Sequence, residues 1–279
     1  MHPSGHIALW CALLLLLASV WTVPRPAHAQ VSLQAGPRLM ALGGGGTAVA
    51  GDLWGGSNPA AWAGLASRQL GFFTGQAFEL SELRLGAVRV AQPLPWLTAV
   101  VGAQTFGFEQ FREHQFPVGV AREVTLGTTR TLAVGAEARY THVSIPGYGN
   151  DGAVGLTLGA QVQVLRTVRA GVQAVHLNAP TLGGGDELPR LLQVGLAYQP
   201  QEAFLLVLDA VKDVLFPVSY RGGVEVQPVE SLTLRGGMAT QPTRFTAGLG
   251  IHVGRLTADV AAERHDVLGW SPAVGLLLR

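Results

Sequence analysis

From Gln69 onward, apolar and polar residues alternate in segments of about ten residues that are separated by turn residues. Successive side chains of a β-strand point to opposite faces, so this period of two predicts strands with one face suited to lipid and one suited to water. The segment 153–165 shows the pattern most clearly. Its apolar face carries Val154, Leu156, Leu158, Ala160, Val162 and Val164, and its other face carries Gly155, Thr157, Gly159, Gln161 and Gln163.

Charged residues fall on the polar face of several further segments. In a closed sheet that face lines the lumen, where an unpaired buried charge is costly. We therefore expect these residues to form ion pairs with one another or with a segment inside the barrel. The predicted lumen charges are Glu137, Arg139, Asp209, Arg221, Glu225, Arg235, Asp259 and Glu263.

The alternation divides the chain into fourteen candidate strands, and merging or losing one pair would leave twelve. Either number is even, as a single-chain bacterial barrel requires. The candidates lie near 69–78, 82–92, 97–108, 115–126, 130–144, 152–165, 169–179, 190–199, 203–211, 217–227, 231–240, 244–253, 255–264 and 270–279.

The connections between candidate strands are of two kinds. Those near 93–95, 127–128, 166–168 and 200–201 are tight, whereas 109–114, 145–151 and 181–187 are longer and polar or glycine-rich. This alternation is typical of barrels with short periplasmic turns and longer outer loops. Aromatic residues near strand ends suit the interfacial girdles of such barrels. They are Trp96, Tyr140, Tyr198, Tyr220 and Trp270.

Composition favours a membrane protein without spanning helices. Charged residues make up 13% of the chain, about half the usual share, and 37 of 279 residues are glycine, about twice the usual share. After residue 30, no stretch approaches the roughly 20 continuous apolar residues that a spanning helix needs. A soluble β-sandwich or solenoid is the alternative, but it would need polar outer faces and a charged core. These observations together predict a transmembrane antiparallel β-barrel over 69–279.

Residues 1–29 have the pattern of a secretory signal peptide. An apolar run from Ile7 to Val20 precedes two prolines and Ala27-His28-Ala29, although no Lys or Arg precedes the run. A single-pass anchor is the competing interpretation. If cleavage follows Ala29, the mature chain begins at Gln30, loses the single cysteine and balances 18 basic against 18 acidic residues. A neutral, cysteine-free chain favours neither nucleic-acid binding nor thiol chemistry.

Residues 30–68 lack the alternation and are dominated by small residues. The glycine run 43–46 could suggest a phosphate-binding loop, but no Lys-Ser/Thr follows it and no βαβ unit surrounds it. Glycine would let the chain reverse inside a narrow cylinder, and Asn58-Pro59 favours a turn. We expect a hatch that enters the barrel, with Arg38 and Asp52 available to pair with lumen charges such as Arg139, Arg221 or Glu225. A periplasmic leader is the alternative.

This region resembles the N-terminal signature of FadL-like outer-membrane proteins, including the PorV/PorQ branch. The resemblance rests on Leu42-Gly43-Gly44, Thr47-Ala48-Val49-Ala50, Asp52 and Asn58-Pro59-Ala60. It implies a fourteen-stranded barrel whose N-terminal segment folds inside as a hatch. The hatch residues that it implies are Gly43, Gly44, Gly45, Gly46, Asp52, Asn58, Pro59 and Ala60.

The short connections depart from the fatty-acid transporters, whose large outer loops form a hydrophobic capture site. That departure favours the compact PorV/PorQ branch, which implies a structural or substrate-handling role linked to type IX secretion. The alternatives are a FadL-like transporter or channel for small hydrophobic compounds, and a protein that mainly binds periplasmic or surface partners. Each places the mature chain in the bacterial outer membrane, in contact with its lipid.

No motif for enzyme activity is visible. The histidines beyond the signal peptide have neither i, i+4 spacing nor cysteine partners for a metal, and no Gly-x-Ser-x-Gly nucleophile elbow occurs. We therefore expect no catalytic residues, no cofactor and no metal.

Overall fold

The computed structural model describes residues 36–55, 58–126, 130–183 and 185–279. The predicted signal peptide and its cleavage site lie outside these residues. Fourteen antiparallel strands close into one barrel, which confirms the predicted fold class and excludes the soluble sandwich and the twelve-strand alternative. Among the described residues, no helix is long and apolar enough to cross a membrane.

Each barrel strand pairs with its neighbours in sequence, and the first strand closes on the last. The closing pair aligns Phe72 with Leu276. The strands are β1 Gln69–Gln76, β2 Arg84–Pro93, β3 Thr98–Phe108, β4 Phe111–Leu126, β5 Arg130–Ile145, β6 Gly149–Leu165, β7 Val168–Val175, β10 Leu191–Gln201, β11 Phe204–Asp213, β12 Ser219–Val229, β13 Leu232–Thr240, β14 Thr243–Val253, β15 Leu256–His265 and β16 Gly269–Leu278, while β8 Thr181–Leu182 and β9 Asp186–Glu187 form a separate ribbon.

Side chains alternate across the barrel wall as the sequence predicts. On β6, Val154, Leu156 and Leu158 are 49%, 44% and 52% exposed on the outside, whereas Thr157 and Gln161 are buried inside. Exposed apolar residues continue around the barrel, and they include all five predicted girdle aromatics. An apolar outer wall on a closed barrel is the arrangement that spans an outer membrane.

The two ends of the barrel differ in their connections. At the terminal end, where β1 begins and β16 ends, the connections 166–167, 202–203, 230–231 and 254–255 each have two residues. At the loop end lie the longer connections 77–83, 176–190 and 214–218. Because barrels turn tightly on the periplasmic side, the loop end faces outward.

Two predicted boundaries at the loop end were wrong. The predicted loop 109–114 is mostly strand, because β4 begins at Phe111, and the predicted strand 169–179 ends at Val175. Arg112, Glu113 and His114 pair with Gly107, Phe106 and Thr105 of β3, so the strand continues through the polar residues that suggested a loop. His176 and Ala179 have positive φ and belong to the turn after β7.

Residues 36–55 and 58–65, which we call the inner segment, precede the barrel. They contain helix α1, Gly36–Ala41, and a 3-10 helix, Pro59–Gly64. Helix α1 contacts β13 to β16, and the 3-10 helix contacts β3 to β6. The inner segment therefore spans the interior from one side of the wall to the other.

Candidate functional site

The barrel wall approaches the inner segment most closely at inward-facing glycines. A Cβ atom at Gly171 would lie 2.2 Å from the Thr47 carbonyl oxygen, and one at Gly237 would lie 2.3 Å from the Gly43 nitrogen. Neither contact is possible for a real side chain, so the backbones pack directly on each other. Gly135 and Gly223 also face backbone atoms of the inner segment. Gly71, Gly119, Gly159, Gly248 and Gly275 face its side chains, and Gly195 faces the side chains of Asp209 and Thr47.

The glycine run reverses the chain against strands β11 to β14. Gly43, Gly44 and Gly46 have positive φ, a conformation that favours glycine. The Gly43 amide donates to Thr246 Oγ1 at 2.9 Å, and Thr246 Oγ1 donates to the Ala41 carbonyl at 2.9 Å. The wall therefore adds to the hydrogen bonds that this turn makes within itself, such as that from the Gly44 amide to the Leu39 carbonyl at 2.9 Å.

Asp209 holds the end of the glycine run. Its Oδ2 accepts hydrogen bonds from the amides of Gly46 and Thr47 at 2.8 and 2.9 Å and from Thr47 Oγ1 at 2.8 Å. Gln161 on β6 donates to the carbonyls of Thr47 and Val49, both at 3.0 Å. Thr47 is thus fixed by side chains of β6 and β11, which lie on the same side of the barrel.

Asn58 joins the 3-10 helix to the wall. Its Oδ1 accepts from the Ala60 amide at 2.9 Å, which caps the helix, and Pro59 occupies the first turn. Its Nδ2 donates to the carbonyls of Thr47, Ala160 and Val172 at 2.8, 3.1 and 3.1 Å. One amide side chain therefore connects both halves of the inner segment to β6 and β7.

Two apolar patches complete the fit. Leu39, Leu42 and Val49 pack on Leu205 and Val207 of β11. Leu53, Trp62 and Leu65 pack on Ala91, Val100 and Ala121. Trp62 is wholly buried, and its Nε1 donates to the Leu53 carbonyl at 3.0 Å. Burial on both sides of the segment stabilises it inside the wall.

An ion-pair network anchors the start of the inner segment. Arg38 binds Glu225 through two hydrogen bonds of 2.9 and 2.7 Å and lies 3.6 Å from Asp52. Glu225 also accepts from Arg235 at 2.6 Å, and Arg235 donates to Asp259 at 2.5 Å. Bidentate arginine–carboxylate pairs of this kind are directional and strong. Among the lumen charges suggested as partners for Arg38 and Asp52, the structure shows Glu225 paired with Arg38.

Arg38 and Asp52, the two charged residues of the inner segment, each stabilise the ionised form of the other. Burial alone would lower the pKa of Arg38, but the charges and hydrogen bonds of Glu225, together with Asp52, raise it above its ordinary value. Burial raises the pKa of the Asp52 carboxyl, against the effect of Arg38 and of the Gly55 and Trp54 amides. Arg38 therefore keeps its charge inside the barrel, and Asp52 keeps its position in a backbone turn.

The remaining predicted lumen charges lie on the inner face in separate groups. Glu137 pairs with Arg139 at 2.6 Å and with Arg89 at 3.4 Å, and Arg89 also donates to the Trp54 carbonyl. Arg221 donates to the Gly44 carbonyl at 3.1 Å. Glu263 pairs with Arg244 at 3.0 Å. The structure thus brings most of these charges against the inner segment or against one another.

Some residues of the site were absent from the sequence analysis. Arg89 and Thr246 contact the inner segment, as do most of the wall glycines, whereas Gln161 and Gly159 were predicted only to lie on the polar face of their strand. The signal that could have found them is their parity, because they alternate with outward apolar residues as the predicted lumen charges do. Gly45 and Ala60 are buried but contribute packing and backbone contacts, not side-chain chemistry.

Two polar cavities adjoin the inner segment on the terminal side. One of about 810 Å³ is lined by Arg38, Gln163, Arg166, Arg169 and Gln199 among others, and one of about 330 Å³ is lined by Arg38, Asp52, Glu225 and His252 among others. Arg38 borders both, so the inner segment separates them. Within the described residues, no cluster of three or more His, Cys, Asp or Glu side chains is arranged to hold a metal.

Several solved structures share this fold. The CymD monoaromatic hydrocarbon channel matches with a TM-score of 0.68 and 12% identity, covering 90% of this chain and 98% of that one. The Pseudomonas putida toluene transporter TodX matches with a TM-score of 0.56, 12% identity and coverage of 86% and 95%. A Pseudomonas aeruginosa FadL homologue matches with a TM-score of 0.57, 10% identity and coverage of 88% and 96%.

At these identities the likeness shows the fold alone. No protein-family model matches the chain, and no curated protein matches its sequence.

Proposed function

We propose that this protein is an outer-membrane channel for small hydrophobic compounds, in which the inner segment acts as a hatch. The observation that carries the proposal is the fold: a closed fourteen-stranded barrel that contains its own N-terminal segment. Two proteins with the same fold are described as a monoaromatic hydrocarbon channel and a toluene transporter. This supports the transporter alternative of the sequence analysis more than the PorV/PorQ interpretation.

The connections at the loop end support an apolar substrate. The shortness of the connections spoke against a large hydrophobic capture site in the outer loops. Several loop-end connections carry exposed apolar side chains, which would favour the capture of apolar molecules. They are Leu80, Tyr148, Leu177, Val214, Leu215 and Val267.

A structural or substrate-handling role linked to type IX secretion, as in PorV/PorQ, is the competing proposal. It requires a partner protein and no movement of the inner segment. The two proposals therefore differ in whether the barrel transports a small molecule and whether the hatch must move for transport to occur.

Uptake of an apolar fluorophore by intact cells distinguishes them. N-phenyl-1-naphthylamine is excluded by an intact outer membrane and brightens when it reaches a phospholipid environment. Cells that express the wild-type chain should brighten faster than cells that express the barrel with a stapled hatch. The staple is Thr47→Cys with Asp209→Cys, because these side chains are in contact, with Thr47 Oγ1 2.8 Å from Asp209 Oδ2.

Reduction of the disulfide provides the control within one protein. The only native cysteine, Cys11, lies in the predicted signal peptide and would be lost on cleavage, so it would not compete for the disulfide. Uptake should return when the disulfide is reduced. Wild-type uptake no faster than that of vector-only cells would reject the channel. Rapid uptake through both the stapled and the reduced protein would reject the hatch but leave the channel.

A further inference from the structure

A groove crosses the outer wall of the barrel over strands β16 and β1 to β4. It has a volume of about 560 Å³, and the outward residues of its floor are small: Thr74, Gly86, Ala103 and Thr105. Phe72 and Leu276 border it on one side and Phe116 borders it on the other. A Cβ at Gly86 would meet only Thr105, at 3.8 Å, so the groove is open at this position.

Strand pairing places basic residues at the loop end of this groove. Gly86 is aligned with Thr105, Thr105 with His114, and His114 with His142, so both histidines face outward in the same row. Two residues nearer the loop end on the same face lie Arg84 and Arg112, with Gly107 on the strand between them. Both arginines are exposed.

The two arginines are suited to share one anion. Neither forms an ion pair with any residue that the structure describes. They stand two strand spacings apart, about 10 Å, and arginine side chains are long enough to meet above Gly107. Three carboxylates lie in the adjoining connections and pair with neither arginine: Glu79 and Glu82 in 77–83, where Glu82 accepts from Ser81 at 3.0 Å, and Glu109 in the β3–β4 turn.

We propose that this face binds a lipid with a phosphate-bearing headgroup. The phosphate lies between Arg84 and Arg112, with His114 and His142 beside it, and an acyl chain fills the groove between Phe72 and Phe116. The occupant follows from the location, because the groove belongs to the lipid-facing wall, and Arg84 and Arg112 lie on the outward face of its strands at the end where headgroups begin. This site is separate from the lumen and from the hatch.

Native mass spectrometry of the delipidated, detergent-solubilised protein tests the proposal. The probes are phosphatidic acid, diacylglycerol with the same chains, and inorganic phosphate. We expect one phosphatidic acid per barrel, bound about ten-fold or more tightly than diacylglycerol, because only phosphatidic acid can accept charge-assisted hydrogen bonds from the two arginines. Inorganic phosphate alone should bind far more weakly than phosphatidic acid.

Two independent variants separate the headgroup site from the groove. Arg84→Ala with Arg112→Ala should reduce phosphatidic acid binding to the level of diacylglycerol, and Gly86→Leu should weaken the binding of both lipids by filling the groove. The matched controls are Arg264→Ala, an exposed arginine near the loop end of β15, and Gly236→Leu, an outward glycine at which an added Cβ would lie 4.0 Å from its nearest neighbour.

Either variant alone decides the question if the other fails to fold. Binding that is unchanged in both variants, or equal for phosphatidic acid and diacylglycerol, would overturn the proposal. Equal binding of inorganic phosphate and phosphatidic acid would also overturn it, because the groove would then contribute nothing.

Discussion

At the scale of single residues, the inner segment fits inside the barrel because glycines in the wall have no side chains that would collide with it. Gly171→Ala places a methyl group 2.2 Å from the Thr47 carbonyl oxygen, so the backbone of the inner segment or of β7 must shift. Overpacking of this kind costs about 1–3 kcal/mol. We expect the barrel to remain folded and the segment to loosen, which brief openings in planar-bilayer recordings would reveal.

Gly236→Ala is the control for this substitution. Gly236 faces outward on β13, and the nearest atom to a Cβ there is 4.0 Å away. Gly236→Ala changes strand propensity in the same way as Gly171→Ala, but it should produce no openings in the bilayer recordings. If both alanine variants behave alike, the tight contact at Gly171 does not hold the segment.

A second residue-scale prediction concerns Asn58. Asn58→Asp would replace the Nδ2 donor with a carboxylate oxygen that faces three carbonyl oxygens, those of Thr47, Ala160 and Val172. Loss of the donor and repulsion at a buried position should destabilise the docked segment by more than about 3 kcal/mol, whereas Asn58→Ala loses only the bonds, at about 1–3 kcal/mol.

Limited proteolysis of the inner segment measures how firmly it is docked in each variant. The wild type should be the most protected, Asn58→Ala intermediate and Asn58→Asp the least. Protection of Asn58→Asp equal to that of the wild type would show that the amide acts through its shape and not through its donor.

The sequence predicts these residues only in part. The small, glycine-rich character of 43–46 and the turn at Asn58-Pro59 are local properties, so they can be recognised without a structure. The bond from Asp209 to Thr47 joins residues 162 positions apart, and only the closed barrel brings them together. For the same reason, Gly171 resembles any strand glycine until Thr47 is placed against it.

At the scale of elements, the strand pattern is determined by the two environments that each strand faces. Lipid on one side and a polar interior on the other select opposite residue types at alternate positions, so the number and parity of the strands were predictable. The boundary of β4 was not, because Arg112, Glu113 and His114 resemble a polar loop although they continue the strand. Strands that extend beyond the apolar band lose the signal on which the prediction depends.

Parity gives a prediction for pairs of neighbouring positions. Single cysteines at Leu156 and Leu158, which face outward, should react with lipid-soluble reagents. Single cysteines at Thr157 and Gln173, which are buried inside, should be protected from those reagents. Labelling of the cysteines at Thr157 and Gln173, with protection of those at Leu156 and Leu158, would show that the strand register is wrong by one residue.

At the scale of the whole molecule, the barrel and the inner segment form one packed unit. The apolar patches lie on opposite sides of the segment, at β11 and at β2 to β4, and the ion pair of Arg38 with Glu225 lies at its start. Because the contacts are spread along the segment, local substitutions should loosen it and only its removal should empty the lumen.

Deletion of 36–65 is therefore the decisive change. Fourteen strands enclose a lumen wide enough for a channel, and the wall glycines leave it wider where the segment now lies. The intact protein should conduct little in planar bilayers, and the truncated protein should show large, persistent conductance. Because the lumen carries charges of both signs, this conductance should favour neither cations nor anions strongly. A variant with Arg38→Ala and Glu225→Gln, which removes one anchor, should open only briefly. Low conductance of a truncated protein that is still heat-modifiable would mean that the wall itself collapses inward, and the segment would then be a support of the barrel and not its hatch.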